Sequence, residues 1–112
     1  MKRYEEFYLA TVVVGTRTKL AQRLNTSVDG LASTDALKKT ITGIAVRCAN
    51  TGILIISIDG NVVTMLDLVI ANAQTFILPL DIPVPVGSKV SLEELTSSGT
   101  AVATALVQYD VG

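Results

Sequence analysis

Turn signals divide the chain after residue 40 into short apolar runs about ten residues apart. Residues 40–49 alternate polar and apolar side chains, as a strand with one buried face does. Residues 53–58 (ILIISI) are apolar on both faces, which is typical of a central strand. The pair Asp59-Gly60 that follows predicts a tight hairpin, because both central residues of such a turn need a positive φ. This pattern limits the chain to a β-rich fold.

The same reasoning predicts further strands at residues 62–70, 74–80, 89–95 and 101–111. Seven or eight short strands in one domain spanning residues 1–112 predict an all-β fold, an antiparallel β-sandwich or small barrel. A jelly-roll or Greek-key sandwich is the first expectation. An immunoglobulin-like sandwich is the alternative, and it is disfavoured because the Cys…Trp…Cys pattern is missing.

Three prolines, Pro79, Pro83 and Pro85, stand close together in the stretch LPLDIPVPVGSK. Proline has no N–H to donate to a β-ladder, so a strand that contains it is confined to the edge of a sheet. We therefore expect this stretch at a sheet edge or in an extended connection.

The N-terminal part, residues 1–40, is less regular than the sandwich core expected over 41–112. Residues 4–14 have the composition of a strand. Residues 18–24 (TKLAQRL) are expected to form two helical turns, because Leu20 and Leu24 are four residues apart. We expect this part to be an arm, made of a strand plus a loop or short helix, that reaches a neighbouring subunit.

Apolar residues form 49% of the chain and charged residues only 17%. An average domain has about 25% charged residues. A compact monomer of this mass exposes roughly 5,900 Å² and buries only about 65% of its unfolded surface. Large exposed apolar patches are rare on monomers and usually mark interfaces. The composition therefore predicts a homo-oligomer that buries apolar sheet faces between copies.

The charges are distributed unevenly, with a net +4 over residues 1–47 and a net −5 over residues 48–112. Such asymmetry is typical of a basic arm that meets phosphate. It is equally typical of subunits whose contacts are complementary in charge, and of solvated loops with little effect. If residues 18–24 were helical, Arg17, Lys19 and Arg23 would form a phosphate-facing stripe. No aromatic residue is interleaved with them, so nucleic acid is not the expected partner.

The chain lacks most of the side chains used in catalysis. It has no His, no Trp and one Cys, Cys48. A Ser or Cys nucleophile needs a base, most often His, and zinc sites are built from Cys and His. We therefore predict no catalytic residue, no cofactor and no metal site, and a protein that is not an enzyme. Calcium held by Asp59, Asp67 and Asp81 is the metal alternative, and an enzyme that uses carboxylates alone is the least favoured function.

Glu5 and Glu6 interrupt the N-terminal stretch before the apolar core of a signal peptide can form. No run of 18 uninterrupted apolar residues is present, so a membrane span is not expected. These features predict a cytoplasmic location without membrane partners.

Aromatic, basic and small side chains mark the surface that best suits a subunit contact. Tyr4 and Tyr8 share one face of the first predicted strand. In the last predicted strand, three alanines share a face that allows close approach by a second sheet or by a neighbouring subunit. The residues expected at the interface are Tyr4, Phe7, Tyr8, Arg17, Lys19, Arg23, Ala101, Ala103 and Ala105.

A binding module of the same fold is the alternative function. Its ligand would be a carbohydrate or a host receptor, held by the polar loops at residues 25–35, 71–74 and 96–100. Stacking sites for sugars usually need several exposed aromatic residues together, and the chain has only five. The structural role is therefore preferred.

The C-terminal half, from ITGIAVRCANTGILIISIDG through FILPLDIPVPVGSKVSLEEL to TAVATALVQYDVG, resembles small β-sandwich structural proteins of viruses. These are capsid, decoration and fibre-head subunits of phages or archaeal viruses with a jelly-roll design. The resemblance covers about 70 residues and includes the proline-punctuated stretch and the final Tyr109-Asp110. It implies homo-oligomers, commonly trimers or larger shells, contacts with other virion proteins, no catalytic residues and a place in the virion.

Overall fold

A computed structural model of the protein describes residues 2–9, 15–23, 30–31, 36–48, 51–68, 77–98 and 103–111. These residues form eight strands and no helix. In chain order the strands are β1 (Lys2–Leu9), β2 (Arg17–Gln22), β3 (Lys39–Cys48), β4 (Thr51–Ile58), β5 (Asn61–Asp67), β6 (Leu78–Val84), β7 (Val90–Ser98) and β8 (Ala103–Val111).

All the strands pair antiparallel in one sheet with the order β5-β4-β7-β2-β1-β8-β3-β6. The sheet is nearly closed into a barrel. The eight antiparallel strands confirm the prediction of an all-β antiparallel fold. Four of the pairings join β1 to β8, β2 to β7, β3 to β6 and β4 to β5. The pairings are therefore nested, because the first strand pairs with the last, the second with the seventh, and so on to the fourth and fifth.

The sheet has two parts, which we name the β1 group (β1-β8-β3-β6) and the β4 group (β2-β7-β4-β5). Among the described residues they are joined between β1 and β2 by the pairs Phe7↔Gln22 and Tyr8↔Ala21. Pairing within each group is longer, as between β1 and β8, which are matched from Lys2↔Asp110 to Leu9↔Ala103.

The core lies between the inward faces of the two groups. Strand β8 shows the alternation most clearly, because Ala103, Ala105, Val107 and Tyr109 are buried while the residues between them are partly exposed. Phe7 is fully buried directly opposite Ala105, so the small alanine makes room for the ring. The other buried apolar residues of the core are Leu20, Leu31, Ile41, Ile44, Leu54, Ile56, Leu68, Val84, Val90 and Leu92.

Two local predictions from the sequence are confirmed. Asp59 and Gly60 have φ values of 51° and 83° and connect β4 to β5 beyond the pair Ile58↔Asn61. A non-glycine residue adopts this conformation with little strain mainly when it is Asn or Asp. Pro79 and Pro83 lie in β6, which is at one end of the strand order and is therefore an edge strand.

The prediction of two helical turns at residues 18–24 is wrong, because Arg17–Gln22 is strand β2. A spacing of four residues is even, so it places side chains on one face of a strand as well as on one face of a helix. Strand β2 pairs with β1 on one side and β7 on the other, and those tertiary contacts override the helical propensity of the segment.

Strand boundaries also differ from those expected. Strand β6 continues through the prolines to Val84, and β7 continues to Ser98 into the expected polar loop. The expectations for residues 10–14, 24–29, 32–35, 69–76 and 99–102 lie outside the described residues, as does the side chain of Cys48.

Candidate functional site

The residues predicted at a subunit interface lie in two different places. Phe7, Ala103 and Ala105 are buried inside the chain, so their apolar surface is already used in its own core. Ala101 lies outside the described residues. The residues that point outward are Tyr4, Tyr8, Arg17, Lys19 and Arg23, with Tyr8 half-buried.

Exposed apolar side chains are concentrated on the outer face of β4 and β5. Among the described residues, seven large apolar side chains are exposed, and four of them are Ile53, Val62, Val63 and Met65. Met65 is 58% exposed. We call these four residues the apolar corner. The other exposed apolar side chains are Tyr4, Leu37 and Val86.

A bulge in β5 creates part of the apolar corner. The register between β4 and β5 shifts between Ile56 and Ser57, which pair with Thr64 and Val62. Val63 is therefore an extra residue without an opposite partner on β4. Strict alternation would turn one of two adjacent valines inward, but here Val62 and Val63 are both exposed.

The outer face of the β1 group is more polar. The Gln108 side-chain amide donates a hydrogen bond of 3.0 Å to the Tyr4 hydroxyl, and the Thr42 hydroxyl donates one of 3.1 Å to Gln108 Oε1. Tyr4 and Tyr8 share this face, as predicted, and Tyr4 is 53% exposed. This face therefore has a series of hydrogen-bonded side chains and one exposed aromatic ring, that of Tyr4.

Arg23 is held at the end of this face by two contacts within the chain. Its guanidinium carbon lies 4.3 Å from the centre of the Tyr8 ring, and its Nε lies 3.2 Å from Glu6 Oε1. Arg17 pairs with Glu93 at 3.0 Å. The expected stripe of basic residues on a helix is therefore wrong. Arg17 and Lys19 point outward from a strand, and both arginines have carboxylate neighbours.

Inside the sheet, a cluster of polar groups surrounds Glu5. The backbone N–H of Leu31 donates a hydrogen bond of 2.6 Å to Glu5 Oε2, and the Gln22 side-chain amide donates to Glu5 Oε1. Burial raises the pKa of the Glu5 carboxyl above its ordinary value. The bonds from Leu31 and Gln22, and then the charge of Lys39, oppose that rise in pKa.

Lys39 completes this inner polar cluster. Its side chain is buried, and Nζ donates to the carbonyl oxygens of Leu31 at 3.3 Å and Ser88 at 3.4 Å. Gly30 exchanges two backbone hydrogen bonds with Val90, of 2.5 Å and 3.2 Å. The cluster therefore fastens residues 30–31 across the interior between β1, β3 and β7.

Gly30 is required by this close approach. A Cβ atom at that position would overlap the Phe7 ring and would lie 2.9 Å from Glu5 Oε2. The next residue, Leu31, has a φ of 63° and a fully buried side chain. A leucine rarely adopts this conformation, so the surrounding hydrogen bonds must hold it there.

Tyr109 of β8 is influenced by the charge of Glu5. Burial raises the pKa of the Tyr109 phenol, the charge of Glu5 raises it further, and the charge of Arg3 opposes both. Both carboxylate oxygens of Glu5 accept hydrogen bonds from this chain, so the cluster stabilises the fold.

Asp59 has a comparable structural role at the β4–β5 turn. Its Oδ1 accepts a 3.0 Å hydrogen bond from the backbone N–H of Lys89. That bond holds the pKa of Asp59 below its ordinary value, and the Ser88 side chain adds to the effect. Within the described ranges, no group of three or more His, Cys, Asp or Glu residues is placed to hold a metal ion.

The described part of the chain also contains no helix that is long and apolar enough to cross a membrane.

The sequence-based reasoning missed the inner polar cluster. A signal was present, because Glu5 is two residues before Phe7 and Lys39 is two residues before Ile41. Side chains two apart in a strand share a face, so both charges fall on the apolar face of their strands. A charge at an inward position of an alternating strand indicates a buried polar contact.

A comparison with protein-family models finds no matching family, and comparisons with curated proteins and with solved structures find no significant match.

Proposed function

We propose that this protein is a non-enzymatic structural subunit that self-associates through an apolar β-sheet surface. The apolar corner is the observation that carries the proposal. Three of its four exposed side chains belong to β5 and the fourth to the neighbouring β4, whereas the outer face of the β1 group is hydrogen-bonded and polar. Clustered exposed apolar side chains favour a protein–protein contact over contact with water.

The pairing of the strands supports a place in a virion. In a jelly roll, eight strands form two Greek-key sheets, as in many viral capsid proteins. Pairings of β1 with β8, β2 with β7, β3 with β6 and β4 with β5 are those of a wound hairpin of this kind. Together with the sequence resemblance, this favours a capsid, decoration or fibre component that forms trimers or larger assemblies.

The hydrogen bonds of Glu5 and Lys39 support the absence of an enzymatic role. Glu5 and Lys39 are the charged members of the inner polar cluster, and both are bound to backbone groups of residues 30–31. A general acid or base needs a carboxyl that can reach a substrate. Here the hydrogen bonds hold the chain together.

Sedimentation velocity of the full chain over a concentration series, followed by electron microscopy, tests the proposal. We expect a defined oligomer at micromolar concentration and discrete particles, rings or fibres in the images. A monomer that persists to about 100 μM, where the association free energy would be weaker than about −5.5 kcal/mol, contradicts the proposal.

A carbohydrate- or receptor-binding module is the second candidate. Tyr4 favours it, because this exposed ring lies beside the hydrogen-bonding side chains of Gln108 and Thr42. Aromatic rings flanked by polar groups stack on sugars and bind their hydroxyls. A glycan array probed with the full chain distinguishes the two functions. A hit that Tyr4→Ala abolishes supports the binding module, and no hit together with defined oligomers supports the structural subunit.

A further inference from the structure

The outer face of the β1 group is open to solvent. Its outward side chains on β1, β8 and β3 are partly or fully exposed, among them those of Tyr4, Tyr8, Thr104, Leu106, Gln108 and Arg47. The outer face of the β4 group differs, because Ile55, Ser57 and Ser91 at outward positions are buried. The β1 group is therefore the side of the sheet on which a ligand can reach the middle strands.

Tyr4 is at one end of this face, and its side chain leans toward β8. Its hydroxyl accepts the 3.0 Å hydrogen bond from Gln108, whose Oε1 in turn accepts the 3.1 Å bond from Thr42. A phenol can both accept and donate, so Tyr4 keeps its own O–H for a ligand. The ring is 53% exposed, so it also offers a surface on which a sugar ring can stack.

Arg47 is at the opposite end of the face and differs from Arg23. The Arg23 side chain is paired with Glu6 at 3.2 Å. Arg47 is exposed and lies directly opposite Thr104, which carries no charge. Within the part of the chain that the structure describes, no ion pair joins Arg47 to an acidic residue. Its positive charge is therefore accessible to an anionic ligand.

Thr104 adds a hydroxyl beside this charge. It is the middle one of three directly opposed residues, with Tyr8 on β1 and Arg47 on β3. A guanidinium binds a carboxylate or a similar oxyanion through two parallel N–H donors, and a hydroxyl can donate a further hydrogen bond. Arg47 and Thr104 therefore form a set of donors suited to one anionic group.

The two ends of the face are too far apart for a single sugar ring. Tyr4 pairs with Gln108 of β8. Arg47 pairs with Thr104, which lies four residues away on the same strand. With a rise of about 3.3 Å per residue and about 4.8 Å between strands, Tyr4 and Arg47 are about 16 Å apart. Leu106 lies between the two ends on β8 and is partly exposed, so a ligand that contacts both ends must be an oligosaccharide.

We propose that the outer face of the β1 group binds an acidic oligosaccharide, with a sugar ring on Tyr4 and one carboxylate or sulfate at Arg47 and Thr104. The proposal rests on the carbohydrate-binding role, the second candidate function. It specifies the class of sugar and adds the residues that recognise its charge. It is compatible with the structural role, because the apolar corner lies on the β4 group.

The polar groups and charges of this face favour such a glycan over other anionic ligands. A nucleic acid binds through several cations along its phosphates, but here Arg23 is already paired with Glu6. One accessible guanidinium suits a ligand with one acidic group. The hydroxyls and the amide of Thr42, Thr104 and Gln108 can donate and accept hydrogen bonds, as sugar hydroxyls also do.

A glycan array with matched versions of each sugar core tests the preference for an acidic group. Lactose, for example, is neutral, sialyllactose carries a carboxylate and sulfolactose carries a sulfate. The array displays many copies of each glycan, which strengthens weak binding by the full chain. We expect at least a tenfold preference for an acidic version over its neutral counterpart, and the version that binds identifies the anionic group.

Two substitutions separate the two ends of the face. Arg47→Gln should weaken binding of the acidic version at least tenfold and leave the neutral version unchanged, which removes the preference. Tyr4→Ala should weaken both versions by a similar factor, because stacking does not depend on the acidic group. Arg17→Gln is the matched control, since it makes the same change on β2 and should leave glycan binding unchanged. Circular dichroism verifies that each variant is folded.

The outcomes separate this inference from the proposed function. A preference for acidic glycans that Arg47→Gln removes and Arg17→Gln retains, with weaker binding in Tyr4→Ala, supports it. Glycan binding that neither Arg47→Gln nor Tyr4→Ala weakens overturns this face and leaves a carbohydrate-binding role. Binding that polyglutamate displaces as well as the acidic glycan does indicates an acidic peptide and overturns the proposal. No binding to any acidic glycan also overturns it, and defined oligomers in sedimentation would leave the structural role standing.

Discussion

Strands β6 and β5 are the two edges of the sheet, and they differ in how they meet solvent. Strand β6 carries Pro79 and Pro83, which have no N–H to offer to another strand, and its outward side chains include the charged Asp81. Strand β5 has no proline and exposes Val62, Val63 and Met65. Its bulge disturbs edge pairing while leaving the apolar side chains accessible. The β6 edge is thus protected against contact, and the β5 side retains a surface suited to it.

The difference extends into the interior. Lys39 lies on β3, beside β6, where it pairs with Val84 and helps to fasten residues 30–31. The β6 side is therefore stabilised by polar bonds within the chain. The β5 side leaves apolar side chains exposed. Substitutions on the β6 side should alter folding, and substitutions on the β5 side should alter association.

The largest expected effect is on the β6 side. Lys39→Met should lower the free energy of unfolding by about 3 kcal/mol, because removing one member of a buried polar group leaves the others uncompensated. The carbonyls of Leu31 and Ser88 lose a donor, and Glu5 loses a nearby positive charge. Urea unfolding followed by circular dichroism measures the change.

Lys38→Met is the matched control, because Lys38 is the preceding residue and is exposed. Exposed substitutions usually change the free energy of unfolding by no more than about 0.5 kcal/mol. Equal unfolding midpoints for the two variants would show that the inner polar cluster does not stabilise the β6 side.

The next effect is on the β5 side. Met65→Lys should weaken self-association at least tenfold, about 1.4 kcal/mol, while the unfolding midpoint changes little. Met65 is 58% exposed, so a lysine costs little in the monomer but charges an apolar contact. Val86→Lys is the control, since Val86 is 61% exposed in the turn after β6. If both variants weaken association equally, the contrast between the two sides disappears.

A smaller effect should follow from restoring an N–H to the protected edge. Pro83→Val should lower the free energy of unfolding by about 0.5 kcal/mol through a more flexible unfolded chain. It should also increase aggregation on heating, because the β6 edge becomes able to pair. Pro85→Val, just beyond the strand, should cause the first change without the second. Light scattering during a thermal ramp distinguishes them, and equal aggregation would show that the prolines do not protect the edge.

The sequence predicted the fold where a single periodicity was present. The alternation of β8 and the Asp59-Gly60 turn each specify a local structure, and the turns that bound the apolar run of β4 limit it to the length of a strand. Strand β2 was predicted wrongly because Leu20 and Leu24 fit two periodicities, and only pairing with β1 and β7 decides between them. Such long-range pairing leaves no local signal.

The candidate surface was predicted only in part, for a related reason. Aromatic and alanine residues were expected at the interface, but Phe7 and Ala105 oppose each other in the core. Which face of a strand is inward depends on the whole sheet, and an apolar residue fits either face. The exposure of both Val62 and Val63 depends on the bulge between β4 and β5, which the sequence does not reveal. Surplus apolarity predicts an interface without giving its place.

The smallest expected effect concerns pH and the interior of the β6 side. Because burial raises the pKa of Glu5, the folded state favours its protonated form. The stability contributed by this proton is fully present below the ordinary pKa of 4.5 and is lost as the pH rises through the folded pKa. Lowering the pH from 7 to 5 should therefore stabilise the natural chain relative to Glu5→Gln, by an amount that solvent limits because Glu5 is only half-buried.

Asp59 does not interfere with this comparison. Its pKa is lowered by the Lys89 N–H, so its contribution is present above 3.8 and is lost only below that value. Glu6→Gln is the control, because Glu6 pairs with Arg23 at the surface. Urea midpoints for the three chains at pH 7 and pH 5 measure the difference. If Glu5→Gln gains as much stability as the natural chain over this range, Glu5 is not protonated preferentially in the fold. The inner polar cluster would then stabilise the charged form of Glu5 as well as water does. Of the two charged residues in the cluster, only Lys39 would then distinguish the β6 side from the β5 side.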